Sequence, residues 1–216
     1  MKKIDWNIYL ITEERLSNGR STVEVVKEAI RGGIEVIQLR EKALPLRERF
    51  QLGLKIKELT QKAGVDLIIN DRVDLALALD ADGVHLGQDD LPLSEARKIM
   101  GKDKIIGISA YREEEIRSAE SDGADYIGVG AVFSTRSKRV KKEKDGIGCS
   151  SIKKISEKTN LPIIAIGGLN KNNCQSVIAA GADTISVISA LTKAENIALE
   201  VKEFKEKIMA VKRGAV

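Results

Sequence analysis

Residues 123–130 read Gly-Ala-Asp-Tyr-Ile-Gly-Val-Gly, so that small residues and an acid come directly before a short apolar run. Related stretches begin at Gly32, Ala81 and Gly181, and each leads into an apolar run of its own. A glycine at a helix end, followed by a tight turn into the next strand, would produce this pattern. Its recurrence before every second apolar run predicts a regular alternation of helices and strands.

Eight short apolar runs are spread along the whole chain. Most are continuously apolar, as expected of parallel strands that are covered by helices on one face and by a packed interior on the other. They span residues 7–12, 35–40, 66–70, 83–87, 105–109, 126–130, 162–167 and 184–189. The sequence therefore predicts one domain over residues 1–216, an α/β fold of the (β/α)8 TIM-barrel type, with a doubly wound open sheet as the alternative.

Segments with apolar residues three and four apart lie between these runs, as expected of helices that cover a barrel. Val23, Val26 and Ile30 form one such stripe, and Ser21 stands where a helix start is expected. Proline early in a helix and glycine at its end are further boundary signals. They occur at Pro45, Pro92, Gly32, Gly64 and Gly101.

Composition narrows the class of protein. Apolar residues make up 43% and charged residues 31%, which is typical of a globular protein that is not disordered. A net charge of +4 is too small to indicate a nucleic-acid partner. No apolar stretch is long enough to cross a bilayer, and the first residues lack the apolar core of an export signal. We therefore expect a cytoplasmic protein, with Cys149 and Cys174 reduced and no membrane partner.

The second strand ends with polar residues where a barrel of this kind carries its active site. Alternation along the strand puts Gln38 and Arg40 on one face. The guanidinium offers a fixed fork of donors that suits an oxygen-rich anion such as pyrophosphate, although a solvated strand end would look the same.

Carboxylates follow the third and fourth strands. Asp71 follows one, and the adjacent Asp89 and Asp90 follow the other. Because neighbouring strands end side by side, two carboxylates would face one cavity and could bind a hard divalent cation. Helix capping is an equally good account of the spacing alone.

Phosphate-binding candidates follow the last three strands. Gly168 and Ser189 come after strands seven and eight, where barrels of this type commonly seat a phosphate. The loop from Ala131 to Gly146 interleaves hydroxyls with cations and could close over a ligand. The only histidine, His85, lies within a strand and is expected to be a hydrogen-bonded interior group.

Taken together, these segments resemble the thiamine-phosphate synthase family, from Tyr9 to about Glu195. The resemblance rests on several segments in this order at strand ends. They are residues 38–42 (Gln-Leu-Arg-Glu-Lys), Asn70-Asp71, residues 81–90, residues 107–110, the loop of residues 134–138, Gly167-Gly168 and residues 188–190.

The resemblance implies a transferase that acts on small phosphorylated substrates. The pyrimidine diphosphate would contact Gln38, Leu39, Arg40, Glu41, Lys42, Asn70, Ser109 and Lys138. The thiazole phosphate would contact Thr135, Arg136, Ser137, Gly168, Ile188 and Ser189. One Mg²⁺ per subunit would bind Asp71 and Asp90. Arg40, Ser109 and Lys138 would act on the departing pyrophosphate, and the thiazole nitrogen would attack the methylene carbon.

Two other functions use the same scaffold. A related barrel tautomerises the thiazole phosphate, but it needs neither the metal nor the pyrophosphate residues and uses a histidine that this sequence does not obviously offer. A phosphate-ligand sensor without catalysis is the second alternative. The sequence leaves the oligomeric state open, including a homo-oligomer.

Overall fold

The protein is represented by a computed structural model that describes residues 4–135, 137 and 145–214. Its eight strands are all parallel and pair in sequence order, and the pairing of the eighth with the first closes a barrel. The strands are β1 (Ile8–Ile11), β2 (Val36–Leu39), β3 (Asp66–Asn70), β4 (Gly83–Leu86), β5 (Ile105–Ser109), β6 (Tyr126–Gly130), β7 (Ile163–Ile166) and β8 (Thr184–Val187). The predicted TIM barrel is confirmed.

Helices follow the strands on the outside of the barrel. A short 3-10 helix (Glu14–Leu16) comes after β1. The α-helices in the described residues are α1 (Thr22–Arg31), α2 (Leu46–Ala63), α3 (Val73–Ala78), α4 (Leu93–Met100), α5 (Glu113–Ser121), α6 (Gly148–Ser156), α7 (Cys174–Ala179), α8 (Ser189–Thr192) and α9 (Ile197–Lys212). Among these described helices, none combines the length and the apolar character needed to span a bilayer.

Each predicted strand is present, with ends that differ by at most two residues. The run predicted to reach residue 189 is the furthest off, because Ser189 already begins α8. The helix signals also hold. Ser21 caps α1 by accepting a hydrogen bond from the Glu24 amide. Gly64 ends α2 at a φ of +67°, where a side chain would be strained.

The buried face of α1 differs from the predicted stripe of Val23, Val26 and Ile30. The fully buried side chains of α1 include Val25 and Ala29 beside Val26, whereas Val23 and Ile30 are only partly buried. The buried stripe runs through Val25, Val26 and Ala29, which are spaced three and four residues apart on one helix face.

The strands separate two apolar regions. Their outward side chains pack against the helices in the larger core. Their inward side chains fill the barrel in a smaller cluster, which includes Trp6, Tyr9, Ile11, Val36, Ile68, Ile105, Tyr126, Ile164 and Ile188. The alternation of a strand therefore decides which residues face the interior of the barrel, and the upper interior is where the site lies.

The repeated acids bind the start of the neighbouring strand. The Asp82 carboxylate accepts a hydrogen bond from the Leu67 amide of β3 at 2.9 Å. Three equivalent bonds join acids to the starts of β1, β5 and β7. They are Ile8 N to Glu35 at 3.1 Å, Ile106 N to Asp125 at 2.7 Å and Ile163 N to Asp183 at 2.8 Å. The glycines of the repeat form the turn from each helix into the next strand, and its acids accept hydrogen bonds from the start of a neighbouring strand.

Asp125 gives a direct test of this structural role. The buried carboxylate also accepts from Arg97 Nη2 at 2.6 Å. We expect Asp125→Ala to lower the free energy of unfolding by roughly 2–3 kcal/mol, because it leaves a buried amide and a guanidinium without their acceptor. Urea denaturation measures the loss. Asp103→Ala, at an exposed loop acid, is the control and should change stability by less than about 0.5 kcal/mol. Equal effects of the two substitutions would contradict the assignment.

Candidate active site

The strands end around one large cavity of about 460 Å³, which we call the mouth cavity. Its walls come from β4 to β8 and the loops after them, and they include Gly87, Ser109, Thr135, Ser137, Gly168 and Ser189. A smaller cavity within the barrel is lined by Gln38, Arg40, Asn70 and His85, and it shares Ser109, Ser186 and Ile188 with the mouth cavity. The predicted residues of β2, β3 and β5 therefore meet those of β6, β7 and β8 around one connected space.

Arg40 is fixed by a buried acid that the sequence did not single out. Its Nη1 donates to Glu13 Oε2 at 2.7 Å, and the Glu13 side chain is only 4% exposed. The other carboxylate oxygen of Glu13 accepts from Arg15 Nε at 2.8 Å. Arg40 Nε is buried and has no partner among the described residues. The guanidinium is thus held in place with a donor left for a ligand.

Two of the predicted substrate residues have side chains that point elsewhere. Leu39 lies in the outer apolar core, because it alternates with Gln38 along β2. The buried Glu41 carboxylate accepts from the Glu14 amide at 3.0 Å and from the Thr22 hydroxyl at 2.9 Å. The structure gives both side chains a packing role, so only their backbone could contact a ligand.

The predicted carboxylates come together beside a lysine. Lys42 Nζ lies 2.6 Å from Asp71 Oδ2. The carboxyls of Asp71 and Asp90 are close enough for each to shift the pKa of the other, and Asp90 Oδ2 accepts from the Gly87 amide at 2.7 Å. Asp71 has a φ of +64°, a left-handed conformation that aims its side chain across the strand ends.

The pKa of the Asp71 carboxyl is lowered, whereas that of the Asp90 carboxyl is raised. Burial raises the pKa of Asp71, but hydrogen bonds from Lys42 and Asp90 outweigh it and leave that pKa below its usual range. Burial raises the pKa of Asp90, and the neighbouring Asp71 raises it further. A positive charge beside two neighbouring carboxyls stabilises their ionised forms, and Lys42 supplies one.

This corner fits Mg²⁺. The described residues contain no cluster of three or more His, Cys, Asp or Glu side chains that could hold a metal alone. A site with two carboxylates suits Mg²⁺, which usually keeps several waters and takes further oxygens from substrate phosphates. Asp71 and Asp90 would hold it, and Lys42 stands beside them as a further positive charge.

The second half of the mouth carries hydroxyls and glycines. Ser137 Oγ lies 2.9 Å from Ser189 Oγ, and the Ser137 amide donates to Thr135 Oγ1 at 3.2 Å. Gly168 has a φ of +64°, and a Cβ there would stand 2.8 Å from the Phe133 carbonyl oxygen. Ile188 is buried beside them. Of the predicted residues in this loop, Arg136 and Lys138 lie outside the described residues.

A chain of hydrogen-bonded side chains crosses the barrel below the mouth. It joins Gln38 to Ser109 through Tyr9, Tyr126 and His85. His85 therefore is a hydrogen-bonded interior group, as its place in a strand predicted. The chain connects Gln38 with Ser109, and the family resemblance assigns both residues to the pyrimidine diphosphate.

Comparison with known proteins identifies the family. A family model described as thiamine monophosphate synthase matches residues 8–191. The thiamine-phosphate synthase of Haloarcula marismortui is 50% identical over 89% of this chain and 92% of its own length. That of Moorella thermoacetica is 48% identical over 93% and 95%. The solved structure of a thiamine phosphate pyrophosphorylase from Pyrococcus furiosus has a TM-score of 0.86 at 40% identity, covering 96% of this chain and 97% of that one.

The chain belongs to the thiamine-phosphate synthase family. Members of this family are transferases, so the expected class of enzyme is confirmed. The match to relatives extends over nearly their whole length. The family model, over residues 8–191, includes every strand end described above.

Sequence reasoning missed three groups in this family site, namely Glu13, the two interior tyrosines and Ser186. Glu13 had a usable signal, because it follows the first strand as the other site residues follow theirs. Ser186 Oγ is buried in the wall of the mouth cavity without a partner among the described residues. No local pattern separates it from the apolar residues of β8.

Gly107 makes room for the interior chain. A Cβ at this position would lie 1.9 Å from Tyr126 Cζ. We expect Gly107→Ala to displace Tyr126, to destabilise the protein by about 2 kcal/mol or more, and to change the fluorescence of Trp6. Trp6 is the only tryptophan, and its ring centroid lies 5.7 Å from that of Tyr126.

Gly64→Ala is the matched control for this substitution. It carries backbone strain at a φ of +67° but meets no atom within 4 Å, so the Trp6 emission should stay unchanged. Thermal unfolding and emission spectra measure both effects. An unchanged Trp6 spectrum in folded Gly107→Ala would contradict this packing.

Proposed function

We propose that this enzyme joins a pyrimidine diphosphate to a thiazole phosphate, giving thiamine phosphate and pyrophosphate. The observation that carries the proposal is the arrangement of two anion-binding regions around one connected space. Arg40 lies on one side, and Ser137, Gly168 and Ser189 lie on the other. The Asp71–Asp90 corner follows the strands β3 and β4, next to β2 with Arg40 at its end. A reaction between two phosphorylated molecules requires such a pair of facing sites.

Binding of the diphosphate follows from the charges at the ends of β2 to β5. Arg40, oriented by Glu13, supplies a donor to the pyrophosphate group, and Ser109 supplies a hydroxyl from across the barrel. Asn70 and Gln38 face the same interior and present amides to the pyrimidine. Lys138, by the family resemblance, adds a positive charge from the loop.

Bound Mg²⁺ would neutralise charge on the pyrophosphate oxygens and so make pyrophosphate a better leaving group. We propose one Mg²⁺ per subunit, with Asp71 and Asp90 as its protein ligands. Two neighbouring carboxylates, one of which has its pKa raised by burial and by the other, support a cation at this point, because a positive charge there would stabilise both ionised forms. Arg40 and Ser109 would hold the leaving oxygens in line as negative charge accumulates on them.

The reaction exchanges one bond for another at the methylene carbon of the pyrimidine. The carbon–oxygen bond to pyrophosphate breaks, and its electron pair leaves with the pyrophosphate. The electron-rich aminopyrimidine tolerates positive charge on that carbon, so departure can run ahead of attack. The thiazole nitrogen then donates its lone pair to form the carbon–nitrogen bond. No protein nucleophile is needed, and much of the rate comes from positioning.

The thiazole phosphate is placed by the second half of the mouth. The hydroxyls of Thr135, Ser137 and Ser189 can donate to its phosphate, and Gly168 lets the backbone approach closely.

We also propose that residues 1–216 form one catalytic domain that works in the cytoplasm, where phosphorylated intermediates are retained, and that a homo-oligomer is compatible with this site.

A product assay tests the proposed function. The purified enzyme is incubated with the pyrimidine diphosphate, the thiazole phosphate and Mg²⁺, and thiamine phosphate and pyrophosphate are quantified by chromatography. We expect both products in equal amounts and none without Mg²⁺. A folded enzyme that binds the thiazole phosphate but forms neither product would contradict the proposal and leave the tautomerase or the sensor.

Asp71→Asn tests the carboxylate corner. The amide keeps the shape but removes the negative charge, so we expect kcat/KM to fall at least about 100-fold and to recover partly at higher Mg²⁺. Asp74→Asn is the matched control, because this exposed aspartate forms its ion pair with the neighbouring Arg72. It should retain wild-type activity. Full activity of Asp71→Asn at low Mg²⁺ would rule out this metal site.

Glu13→Gln tests how Arg40 is held. The neutral amide weakens the ion pair with Arg40, so we expect the KM for the pyrimidine diphosphate to rise about tenfold while the KM for the thiazole phosphate changes little. Steady-state kinetics with each substrate varied in turn measures the difference. Glu28→Gln, which removes an exposed ion pair with Arg31 on α1, is the control. Equal rises in both KM values would contradict a specific effect on Arg40.

A further inference from the structure

Five side chains form a continuous hydrogen-bonded chain through the barrel interior. Gln38 Nε2 donates to Tyr9 Oη at 2.8 Å, and Tyr9 Oη lies 3.2 Å from Tyr126 Oη. His85 Nδ1 lies 3.0 Å from Tyr126 Oη, and His85 Nε2 lies 3.0 Å from Ser109 Oγ. The chain therefore runs from β2 to β5 by way of β1, β6 and β4, and it ends at the wall of the mouth cavity.

The barrel is shaped around this chain. The rings of His85 and Tyr126 stack with centroids 5.5 Å apart and planes inclined by 18°. Gly107 leaves space for the Tyr126 ring, and a Cβ at Gly128 would lie 2.9 Å from His85 Cε1. Gly107 and Gly128, on neighbouring strands, thus leave space for the rings of Tyr126 and His85. This packing sets the distance between the Tyr126 hydroxyl and the His85 ring nitrogen.

The distances leave the donor open in three of the four bonds, and the Gln38 amide favours one direction. Because Gln38 donates to Tyr9, the single proton of the Tyr9 hydroxyl is free to go to Tyr126. In that direction the Tyr126 proton goes to His85 Nδ1, which accepts. His85 Nε2 consequently carries the ring proton and donates it to Ser109 Oγ. The Ser109 hydroxyl proton is left to donate into the mouth cavity.

Burial keeps the two tyrosines in their protonated form. Tyr9 and Tyr126 are both fully enclosed, and loss of hydration raises the pKa of each hydroxyl far above its usual value. Each hydroxyl therefore accepts one hydrogen bond from the residue before it in the chain and donates one to the residue after it. The orientation of the Gln38 amide at one end sets the donor state of Ser109 at the other.

We propose that Tyr9, Tyr126 and His85 are positioning residues that keep a ring proton on His85 Nε2 and make Ser109 a hydrogen-bond donor to the pyrophosphate group. The opposite direction would turn the Ser109 proton toward His85 and present only lone pairs to an anion. This role rests on the proposed function, because it requires pyrophosphate at Ser109. It adds three residues that act on the pyrophosphate group only through Ser109.

The tautomer can be measured directly because His85 is the only histidine in the chain. The enzyme is labelled with ring-¹⁵N histidine, and long-range ¹H–¹⁵N spectra are recorded at pH 7.5 without substrate. We expect a protonated Nε2 and an unprotonated Nδ1. A protonated Nδ1 in the folded wild type would overturn the proposal.

Tyr126→Phe removes the donor to Nδ1 while keeping the ring that stacks on His85. We expect the Nε2–H tautomer to lose its dominance, with Nδ1–H rising to a comparable population. Tyr111→Phe is the control, because Tyr111 is the one tyrosine outside the chain and should leave the histidine spectrum unchanged. An unaltered spectrum in folded Tyr126→Phe would also overturn the proposal.

Kinetics test whether the chain acts through Ser109. We expect Tyr126→Phe and Ser109→Ala each to lower kcat/KM for the pyrimidine diphosphate roughly tenfold, and the double variant to be no worse than about the poorer single one. Multiplied losses near 100-fold would contradict a shared route. Absence of product from the wild type would instead sink the proposed function, and the tautomer measurement, which needs no turnover, would still decide the direction of the chain.

Discussion

Everything described here depends on the pairing of β8 with β1, which closes the sheet. Tyr9 of β1 stands opposite Ser186 of β8 and opposite Val36 of β2, so the last and second strands both border the first. Closure brings all eight carboxyl ends to one rim. An open sheet would separate Arg40 from Ser189 by the width of the sheet. The two phosphate-binding regions can therefore face each other only because the barrel is closed.

Closure also creates an interior that is too crowded for large side chains on every strand. The barrel meets this constraint with aromatic rings on β1 and β6 and glycines where those rings need space. Buried polar groups are costly unless they are hydrogen-bonded, and the chain from Gln38 to Ser109 satisfies its members in series. Packing and recognition of the substrate thus share the same side chains.

The fold was predictable because each strand is marked by local composition and each helix by its boundaries. The candidate site was partly predictable, since residues such as Asp71 follow strands in a barrel of this kind. The roles of Tyr126 and the strand-binding acids were not predicted, because they depend on partners far away in sequence, whereas Glu13 was missed although it follows a strand as the predicted site residues do. Tyr9 and Tyr126 are 117 residues apart, and Asp125 binds an amide 19 residues before it. Leu39 and Glu41 were included through a contiguous motif, although alternation and local hydrogen bonds turn their side chains away.

In the proposed complex the diphosphate binds between the Asp71–Asp90 corner and Ser109, with the thiazole phosphate facing it. A crystal structure of the enzyme with Mg²⁺, pyrophosphate and the thiazole phosphate is the sharpest test of this arrangement. We expect the cation between Asp71 and Asp90, pyrophosphate oxygens within hydrogen-bond distance of Arg40 and Ser109 Oγ, and the thiazole phosphate at Gly168 and Ser189. Pyrophosphate bound away from Arg40 and Ser109, or the cation away from both carboxylates, would contradict it.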